Sequence, residues 1–259
     1  MNRKLALIKL GGSVITFKEK PLAANFKAID NISKILAQLE IPCIIVHGGG
    51  SFGHYWSVKY NMHTKPHNYN PHGIAVVHES MLNLNQILVT SMIKNGINPY
   101  SIMPSEITCR NKPNSLKLNN LSIIAKNNIT PITFGDIIYI KNNKYSIISG
   151  DVLMTILAKY LRPSKIIFAL NVDGIYKDMM NKEIIREVDS NDRSIKFSKV
   201  LMDVTGGMKR KVTEAFKISS IGLNVIMLNG LKPERIINAI TGSDVECTIM
   251  KGHRRKHYA

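Results

Sequence analysis

Three short stretches combine glycines with basic residues: "KLGGS" (9–13), "VHGGGSFGHY" (46–55) and "TGGMKRK" (205–211). Glycine costs backbone entropy, so a cluster of glycines marks a place where something approaches the chain closely. A glycine turn that opens a helix also presents unpaired N–H groups and the positive end of the helix dipole, which suits a phosphate. One such turn also serves as an ordinary tight turn. Three in one chain, two of them with lysines close by, point to phosphate chemistry. His47 and His54 flank the central glycines, and either could meet a ligand.

Standard nucleotide motifs do not account for these stretches. Gly48, Gly50 and Gly53 satisfy G-x-G-x-x-G after an apolar run. A dinucleotide fold then needs an acidic residue about 20 positions on, at the end of the next strand. The first acidic residue after Gly53 is Glu79, inside an expected helix, so the match is accidental. The chain contains no G-x-x-x-x-G-K-[ST], and the protein kinase motifs are missing. His63, His67 and His72 in "HTKPHNYNPHG" (63–73) fit no standard metal-ligand spacing, and no metal site is expected. Cys43, Cys109 and Cys247 form no CxxC pair, which excludes a cysteine zinc site and a disulfide framework.

The elements that must hold these turns alternate along the chain. Strands are expected at 5–10, 42–47, 98–103, 165–170 and 224–228. Helices are expected near 25–40, 74–95, 150–161 and 208–221. Continuous apolar strands separated by helices predict an α/β fold with a mainly parallel sheet covered on both faces. Residues 129–149 read as short strands around an Asn142-Asn143 turn, hence a hairpin. Segment 63–73, rich in His, Pro and Asn, reads as a loop before the long helix.

The 259 residues are 44% hydrophobic and 20% charged, as expected of a globular protein. No apolar run reaches the ~18 residues of a membrane span. Lys9 interrupts the apolar start and no small-residue cleavage site follows, so the N-terminus reads as a strand of a cytoplasmic protein rather than a signal peptide. The net charge of +17 admits a nucleic-acid surface or a pocket for small anions. No RNP-like pattern or zinc-finger spacing supports the first. The basic end, residues 251–259, reads as a solvated tail.

Taken together, "IKLGGSVIT", "VHGGGSFGH", "SGD" (149–151), "NVDGIY" (171–176) and "DVTGGMKRK" (203–211) occur in the order of the amino acid kinase superfamily. The chain resembles that family from residue 4 to about 250. The histidine closing "GGGSFGH" makes it resemble the isopentenyl phosphate kinases within it. The resemblance implies an open αβα sandwich, with an acceptor lobe over about 1–160 and an ATP lobe over about 161–250. It implies transfer of the γ-phosphoryl of ATP, with Mg2+, to isopentenyl phosphate in isoprenoid biosynthesis. A homodimer is implied, with no membrane or nucleic-acid partner. A related kinase for a fosfomycin-like phosphonate or another short alkyl phosphate is the alternative.

The same resemblance assigns residues. Lys9, Leu10, Gly11, Gly12 and Ser13 hold ATP phosphates, with Gly50, Gly207 and Lys211. Lys18 reaches the transferring group. Asp151 orients lysines and helps hold magnesium. Gly49 and Gly150 lie against the acceptor, and Tyr176 packs near the base. Asn171 stands where the family usually carries an acidic residue. His54 would touch the acceptor phosphate, whose charge is matched by an imidazole that donates twice when protonated. His47, ending a buried strand, is structural. Ile74, Val77 and Met81 recur at helical spacing and form either a core stripe or the wall of an isoprenoid pocket. The local readings differ for three of these. Lys18 is otherwise a solvated loop lysine, Lys211 part of a basic helix face, and Asp151 a helix cap.

Overall fold

The computed structural model describes residues 5–109, 112–178, 180–189 and 206–252. Its strands in chain order are β1 (Ala6–Leu10), β2 (Cys43–His47), β3 (Pro99–Ser101), β4 (Thr108–Cys109), β5 (Lys112–Pro113), β6 (Thr130–Phe134), β7 (Asp136–Lys141), β8 (Lys144–Ile148), β9 (Lys165–Leu170), β10 (Tyr176–Asp178), β11 (Glu183–Ile184), β12 (Glu187–Asp189), β13 (Val225–Asn229) and β14 (Cys247–Lys251). Its helices are α1 (Gly12–Ile15), α2 (Phe26–Leu36), α3 (Gly50–Lys59), α4 (Pro71–Lys94), α5 (Pro104–Ile107), α6 (Ser115–Lys126), α7 (Gly150–Leu161), α8 (Gly206–Ser219) and α9 (Glu234–Thr241).

The main sheet runs β12-β14-β13-β9-β1-β2-β6-β3, and only the β13–β14 pair is antiparallel. β1 is buried along its whole length between β2 and β9. Such a strand needs apolar residues on both faces, which "ALIKL" supplies except at Lys9. The period of two sends Ala6, Ile8 and Leu10 into the core beneath α2, α4 and α9. Leu7 goes into the opposite core, beneath α6, α7 and α8. Both faces are covered, as the continuous apolar strands required.

The chain builds β2, β3 and β6 on one side of β1, then crosses to build β9, β13 and β14 on the other. Strand order therefore switches at the β1–β9 boundary. Ligands of open α/β sheets bind beyond the carboxyl ends of strands at such a point. Leu10, His47, Phe134 and Ala169 stand level there in the register.

Several local expectations need correction. Residues 130–134 belong to the main sheet as β6, and the hairpin is the shorter β7–β8 pair. Its turn lies where expected, with Asn142 and Asn143 both at positive φ, as a type I′ turn requires. α3 is a helix where none was expected. The last strand, β14, runs to Lys251, so the basic tail begins later than 251; residues 253–259 lie outside the described residues. Among the described residues no helix is long and apolar enough to cross a membrane.

Candidate active site

The glycine turns after β1 and β2 touch each other. A Cβ on Gly12 would lie 2.3 Å from the Gly50 nitrogen, and one on Gly48 would lie 2.9 Å from the Gly12 nitrogen. A side chain at either position would push the two turns apart. Gly150, which opens α7, fits equally tightly: its Cβ would sit 2.9 Å from the His47 carbonyl oxygen. The three turns, with the start of α8, wall one cavity of about 1360 Å³.

Lys9 has the strand parity of Leu7, so its side chain leaves β1 on the α7 and α8 face. It is only 2% exposed. Its Nζ lies 3.2 Å from Asp151 Oδ1, a charge pairing rather than a well-aligned hydrogen bond. Asp151 does not cap α7. Ser149 does, its Oγ accepting from the Val152 N–H at 3.3 Å, and Asp151 faces the lysines instead. Lys211, in the second turn of α8, brings its Nζ to 4.0 Å from Asp151 Oδ2 and donates to the Gly207 carbonyl at 3.2 Å. Burial alone would raise the Asp151 carboxyl, but Lys9 and Lys211 outweigh it and hold the group below the usual carboxylate range. Burial, then repulsion from Lys9, pushes the Lys211 ammonium down to about 8.

The site is therefore a buried carboxylate between two lysines, beneath glycine turns from separate strands. A model of the amino acid kinase family matches residues 4–229. The chain belongs to that family. It is 34% identical to the isopentenyl phosphate kinase of Thermoplasma acidophilum over 238 residues, 90% of this chain and 94% of that one. It is 30% identical to the isopentenyl phosphate kinase of Methanocaldococcus jannaschii, over 94% of this chain and 97% of that one. A crystal structure of the T. acidophilum enzyme in a product complex superposes with a TM-score of 0.79 at 29% identity, covering 95% of this chain and all of that one.

On this amino acid kinase scaffold, most residues expected at the site line the cavity: Lys9, Gly12, Ser13, Lys18, Gly49, Gly50, His54, Val77, Met81, Gly150, Asp151, Asn171, Tyr176, Gly207 and Lys211. Leu10, Gly11 and Ile74 are not in its wall. Leu10 is packed in the core, and the Gly11 N–H donates to the Ala169 carbonyl at 2.9 Å. Ile74 packs against the cluster of Met62, Val77 and Ile137 but does not itself reach the cavity. Lys18 is exposed at the rim. Asn171 accepts a hydrogen bond from Ser13 Oγ at 3.0 Å, joining the loop after β9 to the turn after β1.

The two histidines lie in different surroundings. His47 is fully buried, stacked on Phe134, with Nδ1 3.1 Å from the Gly48 carbonyl and Nε2 3.4 Å from Asn85 Oδ1. Burial lowers its ring to about 4, so it is neutral and structural. His54 lies within α3 and is exposed on the cavity side.

Sequence reading missed Asp136, a buried carboxylate in the same wall that pairs with His78 of α4 at 2.6 Å. Burial raises the Asp136 carboxyl, and the hydrogen bond to Asp136 raises the His78 imidazole. A signal existed: Gly135 ends β6 just as Gly11 and Gly48 end β1 and β2, so "TFGD" is a fourth strand-to-glycine turn.

Proposed function

We propose that this amino acid kinase transfers the γ-phosphoryl group of MgATP to isopentenyl phosphate, giving isopentenyl diphosphate and ADP. The contact between the turns at Gly12 and Gly50 carries this reading. The two glycine turns lie side by side with Lys9 buried next to them, an arrangement that suits two anions. The likeness to two isopentenyl phosphate kinases supports the choice of acceptor.

Phosphoryl transfer depends on positioning and charge neutralisation more than on covalent help. An acceptor oxygen attacks the γ-phosphorus as the bond to the ADP oxygen breaks. A phosphomonoester's second pKa is ~6, so the acceptor is already ionised and needs no general base. Lys9 and Lys211 neutralise the phosphates, and Asp151 holds both ammoniums in place. Lys18, at the rim, meets the transferring group. Ser13 and Asn171 line the nucleotide side with Tyr176 and Gly207. His54 donates to non-transferring oxygens of the acceptor, against Gly49 and Gly150. Val77 and Met81 face the apolar tail.

The described residues contain no group of three or more His, Cys, Asp or Glu side chains placed to hold an ion. Asp151 is already paired with two lysines. These residues do not fit a metal held by the protein, and magnesium would enter on the phosphate oxygens of ATP.

Steady-state kinetics with isopentenyl phosphate and MgATP test the reading. His54→Ala is expected to lower kcat/KM for the acceptor by ~2–4 kcal/mol, the scale of losing one charge-assisted donor. His54→Gln keeps a neutral donor and should recover part of the loss, with ATP affinity nearly unchanged. Wild-type kcat/KM in His54→Ala would overturn the assigned role and substrate class.

A further inference from the structure

Thr16 sits behind the contact between the two turns, 2% exposed, at the end of α1. Its Oγ1 donates to the Gly12 carbonyl at 2.7 Å and accepts from the Ser51 N–H at 2.9 Å. Its backbone N–H also donates to the Gly12 carbonyl, at 2.9 Å. A hydroxyl has one proton and spare lone pairs, so this hydroxyl has a fixed direction: proton to the first turn, lone pair to the second.

Ser51 is the second residue of α3. Early N–H groups of a helix find no carbonyl within the helix and need outside partners. Gly49, at the cap position of α3, has no side chain to offer one. Thr16 supplies it from another strand's turn. The fit leaves no room for adjustment. Gly50 has φ +49, and a Cβ there would lie 2.0 Å from Thr16 Oγ1.

We propose that Thr16 is a positioning residue that sets the spacing between the two anion-holding turns, and through it the distance from the attacking oxygen to the γ-phosphorus. This rests on the phosphoryl-transfer reading above. In that reaction a displacement of about 1 Å costs up to about a hundredfold in rate. The hydroxyl touches no reacting atom, so its loss should fall on turnover rather than on the binding of either ligand alone.

The test compares Thr16→Val, which keeps the shape and loses both hydroxyl bonds, with Thr16→Ser, which keeps the hydroxyl. Affinity for ATP and for isopentenyl phosphate is measured separately by calorimetry, and kcat with both saturating. Thr16→Val is expected to lose about tenfold to a hundredfold in kcat, with each affinity within about threefold of wild type. Thr16→Ser should retain kcat within about threefold. If Thr16→Val does not fold, Thr16→Ala removes the same bonds and is read in the same way. An unchanged kcat in the hydroxyl-free variant overturns the proposal. So does a loss matched by equal losses in both affinities, or a serine variant no better than valine. An inactive wild type overturns the phosphoryl-transfer reading and this proposal with it, whereas an active wild type beside an equally active Thr16→Val overturns this proposal alone.

Discussion

Lys9 and Lys211 share one buried carboxylate, Asp151, and the arrangement is costly for Lys211. A lysine held at about 8 resists carrying its charge where it sits. The unfolded chain keeps that proton up to about 10.5, so between about pH 8 and 10.5 the unfolded state binds more protons. This group's contribution to stability therefore rises with pH across that window and is least favourable below it. Under the proposed function the sign is opposite, because the charged ammonium is the form that would meet a phosphate. The kcat/KM for ATP should fall above about pH 8, since that ratio reports ionisations of the free enzyme. Lys211→Arg should move this limb to higher pH, because a guanidinium stays charged. A pH–rate profile of the two proteins checks it, and an identical limb in both would show that another group sets it.

At the scale of elements, α4 carries Met81 and Val77, which are both buried in the core and both line the cavity, where the tail of the proposed acceptor would lie. They differ in what else they touch. Met81 Sδ stands 3.1 Å from where a Cβ on Gly49 would be and 3.0 Å from one on Gly53, so it supports the glycine turn from below. Val77 packs with Met62 and Ile137 in a smaller cluster away from that turn. Met81→Ala should cost about 2–5 kcal/mol of stability and impair every acceptor alike. Val77→Ala should cost less and raise kcat/KM for longer prenyl phosphates relative to isopentenyl phosphate. Denaturation midpoints and a chain-length series separate the two. A stability loss in Val77→Ala with unchanged chain-length preference would confine that residue to the core.

The whole molecule carries +17, while both proposed substrates are anions. A positive field raises the rate at which anions arrive, and salt screens it with a Debye length of ~10 Å at 0.1 M. The kcat/KM for ATP should therefore fall as potassium chloride is raised, with kcat at saturation changing little, since pairs inside the site are shielded from solvent ions. Kinetics over a salt series test this. A flat kcat/KM would mean that the surplus charge faces away from the cavity mouth.

Much of the scaffold is legible because it is set by local rules. The period of two in "ALIKL" places Lys9 on the face of Leu7, glycines end β1, β2 and β6, and Asn142-Asn143 can adopt the positive φ of a tight hairpin turn without long-range help. α3 was illegible for the opposite reason. "GSFGHYWSVK" carries two glycines and no apolar stripe, so nothing in it favours a helix. Packing against α4 and the Thr16 hydroxyl hold it in one, and that is what sets His54 on a helix. The spacing of Ile74, Val77 and Met81 is helical, but spacing alone does not decide that Val77 and Met81 meet the cavity while Ile74 does not. Short-range sterics and alternation therefore determined the strands, the turns and the face of Lys9. The contact of Gly12 with Gly50, the sharing of Asp151 by two lysines and the place of His54 join residues far apart in the chain, and only the closing of the sheet around β1 could decide them.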